Sequence, residues 1–369
     1  MTELAFRFCD GLGPKTVLHI WRPSLGLKAI LVVDNVAAGP SIGGVRMAPD
    51  VSLEECFRLA RAMTFKNAAA GLPHGGGKSV IFADPAMAPE RKQALVRAFA
   101  QAIGPIADYI AGPDMGTDET AMAWINDEIG RSVGLPREIG GIPLDEIGAT
   151  GFGLVSAADV AVDHAGIDLK GARIAVQGFG SVGRHAARFF VKNGARLVAA
   201  ADSRGTVHDP GGLDVEALIA IKQQGGHVTD LEGGGKMDGE DIVGIDCDIW
   251  IPAARPDVIR KDNAGRVKAK LIVQGANIGV TEEAEAMLAE RGVLCIPDFI
   301  SNAGGVICAS VEYHGGTEGQ AFQAIDEKIR ANTAEVLDRA KRAAIPPRAA
   351  AVAMAAERVE KAMSLRRWG

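Results

Sequence analysis

The chain has 369 residues, of which 47% are hydrophobic and 23% are charged, with a formal net charge of −6. This length predicts roughly two domains, because single hydrophobic cores stop growing near about 250–300 residues. The acidic balance provides no overall basic field for nucleic acid or an anionic membrane, and no run of about 20 apolar residues predicts a membrane span. We therefore expect no nucleic-acid or membrane partner. Because no basic and apolar leader pattern follows Met1, we also expect a cytoplasmic protein.

Before residue 145, the patterns predict strands and helices in alternation. Ser52 is a candidate N-cap, and Glu55 completes a capping box for a helix with an apolar stripe. That helix delivers Lys66 near its C-terminal end, where a cation suits the helix dipole. The segment Gly75–Lys78 (GGGK) is predicted to be a glycine-rich loop. The predicted strands are Ala29–Val36 and Ser79–Phe82, and Glu90–Ile103 is a predicted helix.

From about Gly151 the pattern becomes βαβ, which predicts a parallel sheet covered by helices on both faces. Ala157–Ala165 is predicted to be helical and Gly225–Gly239 to be a polar surface loop. The end of the chain, Gln320–Trp368, is predicted to be mostly helical with a break at Pro346–Pro347. The predicted strands are Arg173–Gln177, Leu197–Ala201, Cys247–Ile251, Leu271–Val273 and Val293–Ile296.

A glycine-rich turn with the pattern GxGxxG directly follows one of these strands and opens a helix. Its residues are Gly178, Phe179, Gly180, Ser181, Val182 and Gly183. In this context the pattern predicts a dinucleotide-binding turn, because its glycines let the backbone approach a pyrophosphate at a helix N-terminus. Asp202 ends the next strand, close to the roughly 20-residue spacing of the acid that binds the adenosine ribose. Arg204, two residues later, could hold a 2′-phosphate, so NAD is favoured and NADP is not excluded.

Two lysines, Lys66 and Lys78, flank the first GGGK segment, and Asp114 follows in the segment GPDMGT. A substrate carboxylate needs a fixed cation, which Lys66 could supply. Crowding by glycine backbone would strip water from Lys78, and desolvation favours the neutral amine, which can act as a base. Asp114 could exchange a proton with an amine. A second GGGK, at Gly233–Lys236, lies among acidic residues and is predicted to be a loop without a site.

The five cysteines are scattered along the chain without CxxC spacing. This is not a disulfide framework, and no Cys/His cluster has the spacing of metal ligands, so no metal site is predicted. We expect most of the cysteines to be small buried hydrophobic residues.

Several blocks, in order, resemble the glutamate/leucine/phenylalanine/valine dehydrogenase family over nearly the whole chain. The blocks are Gly39–Pro49, Met63–Lys78, Gly112–Thr117, Ala149–Gly153, Gly178–Gly183, Cys247–Ala254, Gln274–Asn277 and Pro297–Ile307. The resemblance implies a two-domain α/β fold with the active site between the domains. A substrate-binding and oligomerisation domain would cover residues 1–145, with C-terminal helices from about 330–369 packing back on it. A Rossmann-type, doubly wound NAD(P)-binding domain would cover residues 146–330.

The resemblance further implies oxidative deamination of an L-amino acid to a 2-oxo acid and ammonia, and the reverse reductive amination, by a homo-oligomer. Lys66 would bind the α-carboxylate, Lys78 would activate water, and Asp114 would exchange protons with the amino nitrogen. The other substrate-binding residues would be Gly75, Gly76, Ile42, Met63 and Ala309. Besides the glycine-rich turn and Asp202, the cofactor-binding residues would be Thr150, Ser203, Ala253, Asn277 and Asn302.

Two departures from the family pattern bear on the substrate. Glutamate-specific members carry a lysine where this chain has Ile42 and a serine where it has Ala309. An anion buried between these two residues would have no partner, at a cost of several kcal/mol. We therefore expect an apolar L-amino acid such as leucine, valine, isoleucine or phenylalanine. Compared with the hexameric glutamate enzymes, the chain is also short at its N-terminus, which favours the shorter leucine/phenylalanine/valine branch of the family.

Two alternatives stay open at this point. One is a glutamate dehydrogenase with an altered pocket, which another cation reaches. The other is a non-catalytic dinucleotide-binding regulator, although such a protein would not need Lys66, Lys78 and Asp114 together. The sequence assigns no role to His74 or Arg255.

Overall fold

The computed structural model describes residues 6–367, which divide into two compact units. The first unit holds the described residues within Met1–Pro143, Val306–Ala321 and Val352–Gly369. The second unit holds Leu144–Gly305 and Phe322–Ala351. The second unit thus begins at Leu144, near the change of pattern seen in the sequence, and the C-terminal part of the chain is divided between the units.

The first unit contains a five-stranded mixed sheet with the strand order β1-β2-β4-β3-β5. Strands β1, β2 and β4 pair antiparallel, whereas β3 pairs parallel with both β4 and β5. The strands are β1 (Thr16–Arg22), β2 (Leu27–Asn35), β3 (Ser41–Ala48), β4 (Gly75–Phe82) and β5 (Tyr109–Pro113). The strand predicted at Ala29–Val36 is confirmed as β2.

Three helices cover the two faces of this sheet. They are α1 (Leu53–Ala69), α2 (Pro89–Ile103) and α3 (Glu119–Ile129). Because alternate strand residues point to opposite faces, Val32 and Val80 pack with Cys56 of α1, whereas Val33 and Ile81 pack with α2 and α3. Of these three helices, only α1 packs on the face of Val32 and Val80.

Helix α1 begins as the sequence predicts, since the Ser52 hydroxyl accepts a hydrogen bond of 3.1 Å from the Glu55 backbone N–H. The second half of the expected capping box differs. The Glu55 carboxylate accepts a hydrogen bond of 2.6 Å from Arg46 Nη1 instead. A charged donor binds a carboxylate more strongly than a backbone amide does.

The predicted glycine-rich loop at Gly75–Lys78 is wrong, because these residues form the first half of β4. A Cβ at Gly75 would lie 1.7 Å from the Asn35 carbonyl oxygen, and one at Gly76 would lie 2.0 Å from the Thr64 nitrogen. The glycines thus allow β2 and α1 to approach β4 closely, and they do not make a turn.

The second unit contains a seven-stranded sheet with the order β12-β11-β10-β6-β7-β8-β9. The strands are β6 (Arg173–Gln177), β7 (Arg196–Asp202), β8 (Gly205–His208), β9 (Gly235–Met237), β10 (Ile249–Pro252), β11 (Leu271–Val273) and β12 (Leu294–Ile296). The first five in spatial order are parallel, as predicted, but β8 and β9 are antiparallel. Only two residues link β7 to β8, and so short a link permits only an antiparallel hairpin.

Strand β9 also corrects the prediction for the second GGGK segment. Gly235 and Lys236 pair with His208 and Val207 of β8, so that the second half of this copy lies in an edge strand, while Gly233 and Gly234 lie outside the strand, as predicted. The predicted polar loop at Gly225–Gly239 therefore contains a strand, as well as a short 3-10 helix at Val228–Asp230.

Between β5 and the C-terminal helices, the second unit contains α4 (Ala149–Ala165), α5 (Ser181–Lys192), α6 (Val215–Gln223), α7 (Glu282–Glu290) and α8 (Asp298–Ser301). Helix α4 begins at Ala149, well before the predicted start at Ala157. No helix within residues 6–367 is long and apolar enough to cross a membrane. Four cysteines are buried and Cys9 is exposed, which confirms the expectation for most of them.

Three C-terminal helices follow, α9 (Gly304–Tyr313), α10 (Glu318–Ala343) and α11 (Pro347–Ser364). The expectation that residues from about 330 pack back on the first domain is wrong for most of α10. The Ser156 hydroxyl donates to Asp326 Oδ1 at 2.8 Å, and Ile329 packs against Gly153, so α10 is attached to α4 of its own unit. After α10, the chain returns to the first unit at Val352, and Arg358 Nη1 donates to the Ala69 carbonyl at 2.7 Å.

Candidate active site

The pairing of β4, β3 and β5 aligns the predicted site residues of the first unit on one face of its sheet. Ile42 lies between Gly76 and Ile110, and Gly44 pairs with Gly112 in the next row. Side chains two residues apart along a strand share a face. Lys78 therefore lies on the same face as Ile42, in the row of Gly44.

Lys78 reaches Asp114 across a glycine. The lysine is buried in the middle of β4, and its ammonium contacts the Asp114 carboxylate directly. A Cβ at Gly44 would lie 2.8 Å from Asp114 Cβ and 3.0 Å from Lys78 Nζ. Because Gly44 has no side chain, the two charged groups can meet above it.

Asp114 is held by further donors that keep it ionised. The Met115 backbone N–H donates to its Oδ1 at 2.7 Å, and Arg46 Nε lies 3.3 Å from its Oδ2. Burial raises the pKa of Asp114, but the positive charges of Lys78 and Arg46 outweigh burial and hold it below its ordinary value. The pair thus consists of a carboxylate and an ammonium group in contact, between which a proton can pass.

Sequence reasoning missed Arg46. It belongs to the block Gly39–Pro49, and two steps of strand alternation from Ile42 place it on the face of Lys78. That periodicity is the signal that could have found it.

The two positions that depart from the glutamate-specific pattern meet in the structure. Ile42 and Ala309 are buried in one apolar cluster with Ile110 and Val133. Ala309 comes from α9, far along the chain from β3, so that only the tertiary fold brings them together. The wall of this part of the site is apolar.

The C-terminal end of α1 packs on the glycines of β4. Asn67 Nδ2 donates to the Gly75 carbonyl at 2.7 Å, which fixes the last turn of the helix against the strand. Met63 and Lys66 precede Asn67 in the same helix, and both are half-buried. The structure therefore brings Lys66 and Met63 to the edge of the strand that carries Lys78.

His74 is buried, and its environment is structural. Its Nδ1 lies 3.1 Å from the Pro40 carbonyl oxygen, and its ring packs against Tyr313, the last residue of α9, and His314, which follows it. Burial lowers the pKa of His74, so the ring is neutral at neutral pH. Arg255 is exposed just after β10, and no role follows from its position.

In the second unit, the glycine-rich turn joins β6 to α5 as predicted. A Cβ at Gly183 would lie 1.8 Å from the Gly178 carbonyl oxygen, which requires glycine where helix meets strand. Gly178 adopts φ +94°, and the space beside Gly180 is open, with nothing within 4 Å of a built Cβ. Each glycine has the role that a dinucleotide turn needs.

The start of α5 fits a pyrophosphate. No side chain caps its first turn, so its leading N–H groups and positive dipole end remain for an anion. Phe179 is buried, and the Ser181 hydroxyl donates to the Asp145 carbonyl at 3.1 Å. The Ala253 N–H donates to the Gln177 carbonyl at 2.7 Å, which places the end of β10 beside this turn.

A pair of asparagines in the second unit offers a polar group to the carboxamide-bearing half of a dinucleotide. Asn302 Nδ2 donates to Asn277 Oδ1 at 2.9 Å, while Asn302 Oδ1 is buried and has no hydrogen-bond partner among the described residues. The Thr150 hydroxyl lies close by, 3.3 Å from a Cβ built on Gly305. An unpaired buried amide oxygen is costly unless a ligand donates to it, and a carboxamide N–H would do so.

Asp202 does not present a free carboxylate to a ribose. Its Oδ2 accepts from Lys222 Nζ at 2.7 Å and from the Val228 N–H at 3.0 Å, and its Oδ1 accepts from the Arg204 N–H at 2.9 Å. Burial raises its pKa, but these partners outweigh burial and lower it. Ser203 and Arg204 are exposed. The predicted ribose acid is therefore also the anchor of the β7–β8 turn and the Val228 segment.

Comparison with known proteins identifies the family to which both segments of the chain are similar. Residues 140–367 match the sequence model described as "Glutamate/Leucine/Phenylalanine/Valine dehydrogenase", and residues 18–131 match "Glu/Leu/Phe/Val dehydrogenase, dimerisation domain". A glutamate dehydrogenase of Aeropyrum pernix is 38% identical over 357 residues, which are 90% of this chain and 85% of the relative.

Two solved structures share the fold over almost the whole chain. A hetero-hexameric glutamate dehydrogenase from Thermus thermophilus, in a Leu-bound form, is 31% identical with a TM-score of 0.86. The match covers 96% of this chain and 90% of the solved chain. An L-tryptophan dehydrogenase from Nostoc punctiforme is 25% identical with a TM-score of 0.76, and covers 98% of this chain and 99% of its own. None of these three proteins is named as a leucine, phenylalanine or valine dehydrogenase.

The two matched segments cover well over half of the chain; residues 18–131 lie in the unit that carries the Lys78–Asp114 pair, and residues 140–367 include the glycine-rich turn. The chain belongs to the glutamate/leucine/phenylalanine/valine dehydrogenase family, whose members are NAD(P)-dependent oxidoreductases acting on the CH–NH2 group of amino acids.

Proposed function

We propose that this protein catalyses the NAD(P)-dependent oxidative deamination of an L-amino acid with an apolar side chain, and the reverse reductive amination. The observation that carries the apolar preference is the buried cluster of Ile42, Ala309, Ile110 and Val133. A substrate carboxylate placed against it would lose its hydration without gaining a partner, at a cost of several kcal/mol. Each ~1.4 kcal/mol is a factor of ten, so glutamate would be disfavoured about 10²-fold or more.

In this proposal the residues of the first unit do the acid–base work. Lys66 holds the α-carboxylate of the substrate, and Lys78 in its amine form takes a proton from the water that attacks Cα. Asp114 takes a proton from the amino nitrogen and returns it when ammonia leaves. NAD(P), when bound, supplies the acceptor for the hydride that leaves Cα. The apolar side chain would lie against Ile42 and Ala309, flanked by Met63 and the glycine backbone.

The residues proposed for the cofactor lie in the second unit. The N–H groups at the start of α5 would hold the pyrophosphate, with Gly178–Gly183 as its cradle. Thr150, Asn277 and Asn302 would bind the nicotinamide half, beside Ala253. Because Lys222 neutralises Asp202, and Ser203 and Arg204 are exposed next to it, we propose that NAD and NADP are both accepted.

We also propose that the protein is a homo-oligomer. Strand β1 is an edge strand of the first sheet, and it exposes Val17 and Trp21, the latter at 57%. Exposed apolar side chains on an unpaired edge favour association. The family model that covers residues 18–131 is described as a dimerisation domain. A second copy of this chain is therefore the proposed partner of β1.

The first test is absorbance at the reduced-nicotinamide band with a panel of L-amino acids, with NAD and NADP in separate assays. We expect turnover with leucine, valine, isoleucine or phenylalanine above that with glutamate. Turnover with glutamate alone would contradict the apolar pocket. Wild-type turnover by Lys78→Ala would contradict the mechanism, and no turnover with any amino acid would favour the non-catalytic regulator.

A substitution pair tests the pocket itself. Ile42→Lys combined with Ala309→Ser restores the two polar groups of glutamate-specific relatives, so we expect the ratio of glutamate to leucine kcat/KM to rise by about 10² or more. Val191→Lys, an exposed change in α5 of the other unit, is the matched control for added charge. An unchanged ratio in the double variant would mean that another part of the site sets the preference.

A further inference from the structure

A line of four alternating charges runs through the site of the first unit. Lys78 contacts Asp114, Arg46 Nε lies 3.3 Å from Asp114 Oδ2, and Arg46 Nη1 lies 2.6 Å from Glu55 Oε1. The side chains of Arg46 and Asp114 are only 18% and 17% exposed, so solvent screens this line weakly. The arginine therefore joins the acid–base pair to a carboxylate on α1.

Two cations contact the carboxylate of Asp114 directly. Lys78 approaches from β4, Arg46 from β3, and Glu55 of α1 stands behind Arg46. Tyr109 of β5 is uncharged at neutral pH, because burial raises the pKa of its phenol well above the physiological range. Cys56 of α1 is likewise a neutral thiol, since burial raises its pKa to about 12.

We propose that Arg46 is a positioning residue that keeps the carboxylate of Asp114 ionised and aimed at Lys78, and that Glu55 limits the strength of its action. The inference rests on the proposed function, because it assumes that Asp114 exchanges protons with the substrate amine. The arginine acts only through Asp114.

The need for such a residue follows from burial. A carboxylate and an ammonium in contact in a poorly solvated place can become neutral by passing one proton between them, which avoids the cost of two buried charges. A protonated Asp114 could not then accept a proton from the amine of the substrate. The second cation at Arg46 opposes protonation of Asp114, and it cannot itself lose its proton at working pH.

Glu55 has the opposite influence. Its negative charge lies against the far side of the guanidinium and offsets part of the field that Arg46 exerts on Asp114. Glu55 lies on α1, three residues after its N-cap Ser52, and its carboxylate also holds the guanidinium of Arg46 in place. The helix that carries Lys66 is thus coupled to the acid–base pair.

Two substitutions with opposite expected signs test the proposal. In Arg46→Gln, Asp114 binds its proton more tightly, so we expect the acid limb of the pH profile of kcat/KM for deamination to move up by about one pH unit. In Glu55→Gln, the field of Arg46 is unopposed, so we expect the acid limb to move down by about half a unit. Simple damage to the site would lower kcat without moving the two limbs in opposite directions.

Further variants separate charge from shape. Arg46→Lys keeps a cation at this position, and we expect it to return the acid limb most of the way toward the wild-type pH. Arg97→Gln is the matched control, because Arg97 forms the same kind of pair with Glu128 on the far side of the same unit. We expect its pH profile to match the wild type. Thermal melts of all variants identify any that do not fold.

A chemical measurement makes the test independent of turnover. Carbodiimide activates protonated carboxyl groups, and an activated Asp114 then forms an amide with an added amine or with the adjacent Lys78. Mass spectrometry detects either product as labelling of Asp114, so the pH at which it appears reports the protonation of Asp114. We expect labelling of Asp114 to begin at higher pH in Arg46→Gln and at lower pH in Glu55→Gln than in the wild type. If neither the acid limb of the pH profile nor the pH of Asp114 labelling shifts in either variant, the role of Arg46 is overturned. If the limbs do not move in these two variants but Lys78→Ala loses its activity, the role of Arg46 is overturned and the proposed function is still supported.

Discussion

Gly44 is the residue on which the geometry of the acid–base pair depends most directly. In Gly44→Ala the new methyl group would lie 2.8 Å from Asp114 Cβ and 3.0 Å from Lys78 Nζ, so one of the two side chains must move. A displacement of about 1 Å at a reacting group costs about 10²-fold in rate. We expect kcat/KM for deamination to fall by about that factor while the protein still folds.

Gly11→Ala is the matched control for this change. Gly11 is exposed, and a Cβ there meets nothing within 4 Å. Its kcat/KM is expected to equal that of the wild type. If Gly44→Ala also kept wild-type kcat/KM, the close meeting of Lys78 and Asp114 above Gly44 would not be needed for the reaction.

Helix α9 is clamped to the segment that follows β5 and α3 by one carboxylate. Glu312 accepts hydrogen bonds of 3.1 Å from the backbone N–H groups of Leu135 and Ile142. The helix also carries Ala309, and the clamped segment follows Val133, so Glu312 holds two members of the apolar cluster together. The shape of the side-chain pocket therefore depends on an element contact outside it.

This clamp predicts a pH dependence of stability. Burial raises the pKa of Glu312 above its ordinary value of 4.5, so the folded protein holds this proton more tightly than the unfolded chain does. Its contribution to the free energy of unfolding therefore falls as pH rises from about 4.5 through the raised folded pKa, with a slope of at most about 1.4 kcal/mol per pH unit. In Glu312→Gln we expect this fall to be absent in urea unfolding curves taken from pH 4.5 to 6.5.

Glu138→Gln provides the comparison for this measurement. Glu138 is exposed in the same clamped segment, so its removal is expected to leave the pH dependence of the wild type intact. Parallel curves for Glu312→Gln and the wild type would show that burial of Glu312 does not set the slope.

The unpaired edge of the first sheet gives a prediction for the whole molecule. We expect the wild type to sediment as a complex of several subunits and Val17→Lys/Trp21→Lys to sediment as a smaller species, because lysines on β1 oppose edge pairing. Analytical ultracentrifugation at fixed protein concentration measures this. Val191→Lys adds charge elsewhere and is expected to keep the wild-type mass. A double variant with the wild-type mass would exclude β1 as the contact.

Local signals were sufficient for much of the second unit. The strand at Arg173–Gln177, the glycine-rich turn and the helix that follows have the predicted order, because turn glycines and an apolar strand act over a few residues. The same local reasoning failed at Gly75–Lys78. Glycine by itself suggests a turn, whereas here it serves a close approach between β4, β2 and α1, which no short segment of sequence can show.

The family and the two-domain α/β architecture could be inferred from the sequence, and so could the candidate site residues Lys78 and Asp114 and the candidate dinucleotide turn, because each depends on a short motif and its order along the chain. The tertiary structure alone decided which distant residues meet. In the structure Ala309 packs beside Ile42, Arg46 pairs with Asp114, and Asp202 pairs with Lys222. The C-terminal helices are divided between the two units. Such contacts depend on strand register and helix packing, which arise from the summed burial of many side chains and not from any local pattern.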